Sequence, residues 1–255
     1  MKELPLISVI ISVLNGAETL DRCLESIVSQ DYPCIEIVVK DGGSTDGSLN
    51  IIRKYTDSIS HWESGKDRGI YHAWNMALEH AHGRWICFLG ADDFFWNPQT
   101  LSALLPYLQQ AESKGIKVVY GQAARVDIHG NVVSLQGKPW KRIAWLMRHG
   151  MVLQHTGLMH HQRLFELHGR FDPSYRIAGD YELLLRELKD RPALFAENIR
   201  TVGCRIGGLA DSSNLTHHKE VFRARRQNGL FALSWVWTLV FSRAIVRHLW
   251  KYFAG

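Results

Sequence analysis

The amino-terminal part of the chain alternates between continuous apolar runs and segments with helical periodicity. The apolar runs lie at 6–14, 35–40 and 85–89, and each predicts a strand that is buried on both faces of a parallel sheet. Between them, apolar residues recur at helical spacing over 17–30 and 70–82. Strands that alternate with helices form βαβ units, so the pattern predicts an α/β fold with a mainly parallel central sheet flanked by helices.

The pattern changes farther along the chain. Strands are predicted at 117–121 and 123–128, and His129-Gly130-Asn131 predicts a hairpin turn after them. Antiparallel strands added to a parallel core would make the sheet mixed. Further helices are predicted over 49–55, over 100–110 and from about Asp180.

Two of the predicted strands end in carboxylates. Asp41 follows the strand at 35–40, and Asp92-Asp93 follows the strand that ends at Leu89. Ligands of open α/β sheets bind outside the carboxyl ends of the strands, and carboxylate oxygens there suit Mn²⁺ or Mg²⁺, which can neutralise a diphosphate. These positions predict a nucleotide-diphosphate site in which Asp41 accepts a hydrogen bond from a base N–H. The alternative is a pair of ordinary turns, since Asp favours turns for its own hydrogen bonds.

Asp67 and Asp180 precede predicted helices, and each has two interpretations. Asp67, together with Arg68, either binds a base and a phosphate or caps the helix that begins near Ile70. Asp180 is either an N-cap, worth about 1 kcal/mol, or a carboxylate that faces a pocket as a general base. Position alone favours the cap for Asp180 and leaves both roles open for Asp67.

Four histidines lie between residues 138 and 170. His149, His155, His160 and His161 include one adjacent pair but have no metal-ligand spacing. Structural or acceptor-contact roles are therefore favoured over metal binding.

Composition and short motifs narrow the class of protein. A chain of 255 residues that is 46% hydrophobic predicts one main domain with a substantial core. The four cysteines form no Cys-x-x-Cys pair and no secretory leader precedes the first strand, which predicts buried thiols in a reduced, cytoplasmic compartment. Neither a Gly-x-Gly-x-x-Gly after the first strand nor a P-loop is present, which argues against dinucleotide-binding dehydrogenases and P-loop NTPases.

The formal net charge of +5 is concentrated at the carboxyl end of the chain. Nucleic-acid binding would need basic residues spread over the body, so no nucleic-acid partner is predicted. Residues 230–240 are almost wholly apolar, and Arg243, Arg247 and Lys251 follow at intervals of four. We predict a domain over 1–218 and a basic, amphipathic helical tail over 219–255 that lies in a membrane interface, with packing on protein as the alternative.

Five stretches of the sequence occur in the order typical of a known family. They are Ser8 to Asn15, Val39 to Gly47, Asp67 to Asn75, Phe88 to Asp93 and Phe171 to Tyr181, and they span about residues 6 to 190. Together they resemble the family 2 inverting glycosyltransferases with the GT-A fold, particularly small bacterial enzymes of surface-polysaccharide assembly. The resemblance implies that the chain transfers a sugar from a nucleotide-diphosphate donor, commonly a UDP-sugar, to a hydroxyl of a glycan or polyprenyl-linked acceptor.

The resemblance also implies a role for each matching residue. Asp180 matches the catalytic base, which takes the proton of the acceptor hydroxyl during direct displacement. Asp92 and Asp93 match the Asp-x-Asp region, which typically holds Mn²⁺ or Mg²⁺ on the diphosphate and contacts the ribose. The matches in the donor site are Asn15, Asp41 and Asp67, and His155 matches a position near the acceptor.

The sequence departs from the family at one motif. Gly90-Ala91-Asp92-Asp93 lacks the strict Asp-x-Asp spacing, which leaves open whether one or both carboxylates reach a metal. With the tail, this departure supports a second hypothesis, a catalytically silent nucleotide-binding scaffold of a membrane polysaccharide complex. A third hypothesis is a metal-dependent phosphohydrolase of nucleotide diphosphates. The leading prediction is a metal-dependent inverting transferase in the cytoplasm, peripheral at the inner face of the cell membrane.

Overall fold

A computed structural model of the chain describes residues 4–206 and 215–230. In these residues nine strands form one sheet: β1 (Ile7–Val13), β2 (Ile35–Asp41), β3 (His61–Ser64), β4 (Trp85–Gly90), β5 (Phe94–Phe95), β6 (Val118–Val126), β7 (Val132–Gln136), β8 (Met159–His161) and β9 (Leu194–Arg205). The α-helices of the same residues are α1 (Leu20–Val28), α2 (Ser48–Lys54), α3 (Ile70–Ala77), α4 (Thr100–Ser113), α5 (Trp140–Met147), α6 (Gln162–His168), α7 (Gly179–Leu188) and α8 (Leu215–Gln227).

The first part of the sheet is parallel, as predicted. β1 lies between β2 and β4, and β3 pairs with the outer edge of β2. Successive side chains of β1 enter different cores, because Ile11 packs in the cluster that contains α1 and Ile10 packs in the cluster that contains α3. The register pairs Val13 with Asp41 and Asp41 with Ser64, so the ends of these strands meet at one edge of the sheet.

The second part of the sheet is mixed. Beyond β4 the order is β8, β6, β9 and β5, and β7 pairs with β6 off this path. β8 is antiparallel to both β4 and β6, whereas β9 is parallel to β6. The prediction of a mixed, mainly parallel sheet flanked by helices is confirmed.

β6 corrects one detail of the sequence analysis. The strands predicted at 117–121 and 123–128 are a single strand, and the break expected after Gly121 lies inside it. A Cβ at Gly121 would lie 2.4 Å from the carbonyl oxygen of Ile199 in β9. The prediction of a break was wrong because glycine here permits a close approach of two strands. The hairpin turn after β6 is confirmed, since it leads directly into β7.

α3 is shorter than predicted. It ends at Ala77, and a single 3₁₀ turn from Leu78 to His80 follows it. Gly83, directly after the predicted helix over 70–82, packs against β1, where a Cβ would lie 2.4 Å from the Ser8 nitrogen. This glycine therefore permits a close approach of the backbone to β1.

The described end of the chain extends past the predicted domain boundary at residue 218. α8 crosses that position, and its Val221 and Ala224 are buried in the core cluster that contains α7. Of the tail predicted over 219–255, the part from residue 231 onward lies outside the described residues. The division at 218 therefore stays a prediction. Within 4–206 and 215–230 no helix is both long and apolar enough to cross a membrane.

The four cysteines are free thiols. Cys23, Cys87 and Cys204 are buried, and Cys34 is partly exposed. This arrangement agrees with the expectation of buried, unpaired thiols.

Candidate functional site

Asp41 ends β2 with its side chain completely buried. Its Oδ2 accepts hydrogen bonds from the Ser64 hydroxyl at 2.6 Å and from the N–H groups of Gly43 and Ser44 at 2.9 and 3.0 Å. Its Oδ1 is buried with no partner in the described residues. Burial raises the pKa of Asp41, but the hydrogen bonds outweigh burial and hold the pKa below its usual value. Asp41 is therefore an ionised carboxylate with one buried oxygen that lacks a donor.

The neighbouring Lys40 fixes the backbone around Asp41. Its side chain is 1% exposed, and Nζ donates to the carbonyl oxygens of Asp41 and Gly65, both at 2.8 Å. These bonds tie the end of β2 to the loop that follows β3. The Asp41 carboxylate consequently projects from a backbone that is held on both sides.

Asp67 lies in the loop after β3, next to the turn that follows Asp41. Its Oδ1 accepts the N–H of Gly69 at 2.8 Å, directly before α3. A Cβ at Gly42 would lie 2.8 Å from Asp67 Oδ2, so a side chain at this position would displace the Asp67 carboxylate. The structure places Asp67 beside Asp41 and also gives it a role in the start of α3.

Asn15 joins the loops that follow β1 and β2. Its N–H donates to the Ser44 hydroxyl at 2.8 Å, and its Oδ1 accepts the N–H of Thr45 at 2.9 Å. Its φ of 52° lies in the left-handed region, which Asn tolerates better than most residues. Asn15 therefore shapes the wall beside Asp41, and its contact with a donor stays a prediction.

Asp92 and Asp93 follow β4 and turn back over its last residue. A Cβ at Gly90 would lie 2.8 Å from Asp92 Oδ1 and 3.0 Å from Asp93 Oδ2, so both carboxylates reach the same space. Asp93 Oδ2 also accepts the Gly90 N–H at 3.1 Å. Burial and, after it, the charge of Asp92 raise the pKa of Asp93 to about 7. A buried and a half-buried carboxylate that repel each other favour a cation near them.

Side chains from two later segments complete the surroundings of Asp93. The Thr156 and Cys204 side chains lie near the Asp93 carboxylate and lower its pKa against the effect of burial, and Thr156 Oγ1 lies 3.3 Å from Cys204 Sγ. Cys204 belongs to β9, and the next residue, Arg205, pairs with Glu18 of the loop after β1 at 3.0 Å. β9 thereby reaches the edge of the sheet that carries Asp41 and Asp93.

Asp180 lies in the first turn of α7. Its Oδ1 accepts the Tyr181 N–H at 2.8 Å and lies 3.2 Å from the Tyr71 hydroxyl. The N-cap of α7 is Ala178, so Asp180 is not the cap that one interpretation of the sequence required. Burial raises the pKa of Asp180 to about 6, against the opposing effect of the bonds from Tyr181 and Tyr71. A carboxylate with such a pKa can take up and release a proton near neutral pH.

Residues 8–157 match the sequence profile of Glycosyl transferase family 2. The chain belongs to this family. The matched residues include Asp41, Asp92 and Asp93, and they end before Asp180. The family predicted from the five sequence stretches is confirmed.

Two curated relatives of this glycosyltransferase extend the similarity beyond the profile. The PGL/p-HBAD biosynthesis glycosyltransferase of Mycobacterium bovis (strain BCG / Pasteur 1173P2) is 28% identical over 254 residues, which cover 95% of this chain and 94% of the relative. The chondroitin synthase of Escherichia coli is 28% identical over 188 residues, which cover 73% of this chain and 27% of the synthase. The first similarity runs along nearly the whole of both chains.

Two solved structures share the fold of this glycosyltransferase. S. aureus TarS 1-349 in complex with UDP gives a TM-score of 0.65 at 21% identity, over 90% of this chain and 67% of that chain. The mannosyltransferase PcManGT from Pyrobaculum calidifontis, in complex with GDP-Man and Mn²⁺, gives 0.61 at 20% identity, over 88% of this chain and 61% of that chain. These likenesses confirm the predicted GT-A fold.

His155 of the glycosyltransferase lies in an aromatic cluster. Its ring stacks on Trp74 with centroids 4.8 Å apart and lies 5.0 Å from the ring of His160. Burial lowers the pKa of His155 well below its usual value, and neither ring nitrogen has a partner in the described residues. The structure thus places His155 in the core beside Thr156, and an acceptor contact stays a prediction.

Several residues around the predicted carboxylates were not predicted from the sequence. Ser64 and Tyr71 form hydrogen bonds with Asp41 and Asp180, and Thr156 and Cys204 lie near Asp93. Tyr71 belongs to a stretch that matched the family, but its partner Asp180 is far away in the sequence. Ser64 and Cys204 gave no signal because their strands, β3 and β9, were not predicted.

Proposed function

We propose that this family 2 glycosyltransferase transfers a sugar, with inversion, from a UDP-sugar to a hydroxyl of a glycan or polyprenyl-linked acceptor in surface-polysaccharide synthesis. The observation that carries the proposal is the buried Oδ1 of Asp41, an acceptor without a donor at the carboxyl end of β2. Asp92 and Asp93 lie at the carboxyl end of β4 on the same edge of the sheet. Such an edge binds nucleotides in open α/β folds.

The chemistry of Asp41 restricts the base of the donor. A carboxylate oxygen accepts hydrogen bonds and cannot donate them when ionised. Uracil and guanine present a ring N–H that can meet it, whereas the corresponding ring nitrogen of cytosine is an acceptor. Structural neighbours contain UDP, UDP-GlcNAc and GDP-Man. Uracil is the base that the family resemblance favours, and UDP is therefore our choice for the donor.

The residues after β4 fit a divalent cation. Asp92 and Asp93 reach the same space over Gly90, and carboxylate oxygens are the ligands that Mn²⁺ and Mg²⁺ prefer. Within 4–206 and 215–230 no group of three or more His, Cys, Asp or Glu side chains is arranged around one point. An ion held by these two carboxylates would take further oxygens from the diphosphate and would stabilise its negative charge as it leaves.

Asp180 supplies the general base of the proposed reaction. Its hydrogen bonds from Tyr71 and Tyr181 go to Oδ1, which leaves Oδ2 to face the acceptor hydroxyl. Asp180 removes the hydroxyl proton while the hydroxyl oxygen bonds to the anomeric carbon. The bond from that carbon to the diphosphate oxygen breaks on the opposite face. The configuration at the anomeric carbon is therefore inverted, and no enzyme nucleophile is needed.

Calorimetry of UDP binding, with and without Mn²⁺, tests the donor site in the wild type and in Asp93→Ala. We expect the wild type to bind UDP with Mn²⁺ and Asp93→Ala to bind it about 10- to 100-fold more weakly, since one carboxylate ligand is lost. CDP is the matched control nucleotide, because N3 of cytosine carries no N–H and would bring a lone pair toward the Asp41 carboxylate. Equal binding of UDP and CDP would contradict the proposed role of Asp41.

A turnover assay separates the transferase from the other candidate functions. Transfer of sugar from UDP-sugars to a lipid-linked acceptor is the expected result. The departure from strict Asp-x-Asp spacing favours a silent scaffold as the second candidate, and tight UDP binding without turnover of any donor would select it. Release of phosphate or nucleoside monophosphate without sugar transfer would indicate a phosphohydrolase instead.

Two features of the sequence support binding at the inner face of the cell membrane. Residues 128–165 contain no Asp or Glu, and Val133 and Trp145 within them are 60% and 55% exposed. The basic tail adds Arg243, Arg247 and Lys251. Cations next to apolar side chains favour anionic lipid surfaces.

Vesicle sedimentation of the full chain tests this membrane proposal. We expect stronger binding to anionic than to neutral vesicles, and weaker binding after replacement of Arg243, Arg247 and Lys251 by Glu, because lipid attraction requires the cations. Leu167→Ser, at an exposed position outside 128–165, is the control. Binding that is equal for both vesicle types and all variants would remove the proposal.

A further inference from the structure

Glu220 is a buried carboxylate on α8 that the proposed reaction does not use directly. Its side chain is only 8% exposed, and both of its oxygens bond to a loop from another part of the chain. Oε1 accepts the N–H of Arg176, and Oε2 accepts the N–H groups of Ile177 and Ala178, each at 2.9 Å. Three successive N–H groups around one carboxylate form an anion-binding nest. Glu220 is therefore bonded entirely by backbone donors, and such charge-assisted bonds are strong.

The bonded backbone lies immediately before α7. Ala178 is the N-cap of that helix, and Asp180 lies in its first turn. An alanine side chain cannot bond to the free N–H groups at a helix start. The direction in which α7 begins is consequently set by a residue outside the helix, and Glu220 is in position to set it.

Tyr71 holds the same backbone from the opposite side. Its hydroxyl donates to the Ile177 carbonyl oxygen at 2.6 Å. A Cβ at Gly179 would lie 2.8 Å from the Tyr71 ring, so the ring packs directly on the helix start. Ile177 is thus bonded through its N–H to Glu220 and through its carbonyl to Tyr71, a short distance before Asp180.

Other residues on the same face of α8 bond to the rest of this loop. Arg223 pairs with Asp172 at 3.1 Å, and its guanidinium lies 4.3 Å from the ring centroid of Tyr175. Gln227 accepts a hydrogen bond from the Tyr175 hydroxyl. Glu220, Arg223 and Gln227 share one face because their spacing follows the helical period. α8 therefore supports the whole segment that leads into α7.

We propose that Glu220 is a positioning residue that orients Asp180 for proton transfer. The inference rests on the proposed function, in which Asp180 is the general base. Without the Glu220 carboxylate, three N–H groups lose their shared acceptor and the first turn of α7 can shift relative to Tyr71. A misplacement of about 1 Å can lower a rate about 100-fold. The residues of the proposed donor site lie at the ends of strands and not on α7 or α8, so the affinity for the donor should be preserved.

Glu220→Gln tests the inference because it keeps the shape of the side chain, removes its charge and brings an NH₂ group toward three donors. We expect kcat to fall about 10- to 100-fold, with the Kd for UDP unchanged. Glu187→Gln is the matched control, since Glu187 is a buried carboxylate of α7 that bonds to Lys117 and His168 instead. The control should lose stability but keep kcat, which separates positioning from folding.

The pH profile gives a readout that a purely structural role would not move. Asp180 is faced by the Tyr71 hydroxyl of α3, the N–H groups of α7 and the Glu220 carboxylate of α8, and the charge of Glu220 helps to raise its pKa. The acidic limb of kcat should therefore move to lower pH in Glu220→Gln and stay in place in Glu187→Gln. Glu220→Asp keeps the charge on a shorter side chain and should restore the acidic limb, with an intermediate kcat.

Wild-type kcat and an unmoved acidic limb in a folded Glu220→Gln would overturn the inference. If that variant does not fold, Glu220→Asp tests the inference through its kcat, measured together with the Kd for UDP. A wild-type kcat in Glu220→Asp would reject the inference. Asp180→Asn keeps this test distinct from the proposed function. Normal transfer by Asp180→Asn would reject the base itself, whereas an inactive Asp180→Asn with a normal Glu220→Gln would reject only the role of Glu220.

Discussion

Two regions of the molecule are held in place in different ways. The donor edge, which consists of Asn15, Asp41, Asp92 and Asp93, lies at the ends of adjacent parallel strands. Asp41 and Asp93 bond there to backbone within a few residues of themselves, Asp41 to Gly43 and Ser44 and Asp93 to Gly90. Asp180, by contrast, starts a helix whose direction depends on Tyr71 from α3 and on α8.

The contrast predicts that the proposed donor binding and the proposed proton transfer are separable. The donor edge depends on sheet register and on the turns that follow the strands. The Asp180 turn depends on contacts between segments that are distant in the sequence. A change in one region should therefore leave the other region working, and variants of each region test this prediction.

Asp180→Asn is expected to have the largest effect. The amide cannot take a proton from the acceptor, so kcat should fall about 1,000-fold, within the range for loss of a general base. The Kd for UDP, measured by calorimetry, should stay at the wild-type value because the donor edge is intact. Asp190→Asn, in the exposed turn after α7, is the control. Substantial transfer by Asp180→Asn would contradict the assignment of the base.

The same residue determines the expected pH dependence of the wild type. Burial raises the pKa of Asp180 to about 6, so kcat should rise with pH up to that value and then level off. Because the folded state binds this proton more tightly than the unfolded chain, the contribution of Asp180 to stability is present at low pH and lost as pH rises from about 4 to about 6. Thermal melts near pH 7 should find Asp180→Asn at least as stable as the wild type.

Asp41→Asn should have a smaller effect, and it should change donor binding rather than kcat. Its amide can keep an oxygen toward Ser64 and the turn, but its NH₂ then faces the N–H of the base. Loss of a hydrogen bond to a charged group costs about 1.5–3 kcal/mol, so the Kd for UDP should rise about 10- to 100-fold. kcat at saturating donor should change little. Asp21→Asn, an exposed carboxylate paired with Lys54, is the control, and wild-type UDP affinity in Asp41→Asn would reject the base contact.

The donor edge was largely predictable from the sequence. The apolar runs before Asp41 and before Asp92-Asp93 predicted buried parallel strands, and parallel strands end at one edge of a sheet. The structure has β2 and β4 where these runs lie. The local pattern of apolar residues sufficed here, because each carboxylate comes at or just after the end of the strand that positions it.

The rest of the site was not predictable from local pattern. β9 brings Cys204 to Asp93, but its register against β6 is irregular and Asn198 within it has φ of 62°, so its sequence has no clean strand period. Glu220 lies in a polar helix, where a buried carboxylate looks like an ordinary surface charge. Its bonds to Arg176, Ile177 and Ala178 exist only after α8 has docked. Tertiary contacts of this kind leave no signal in a single sequence.

The Tyr71 hydroxyl has one proton and two neighbouring acceptors, the Ile177 carbonyl oxygen and Asp180 Oδ1. While Asp180 is ionised, that proton can point to either oxygen. When Asp180 takes up a proton on Oδ2, the charge on Oδ1 is lost, and the Tyr71 proton then favours the Ile177 carbonyl oxygen. The direction of the Tyr71 hydroxyl thus follows the protonation state of Asp180, and it can change by the rotation of one hydrogen while the heavy atoms of Tyr71, Ile177 and Asp180 stay in place.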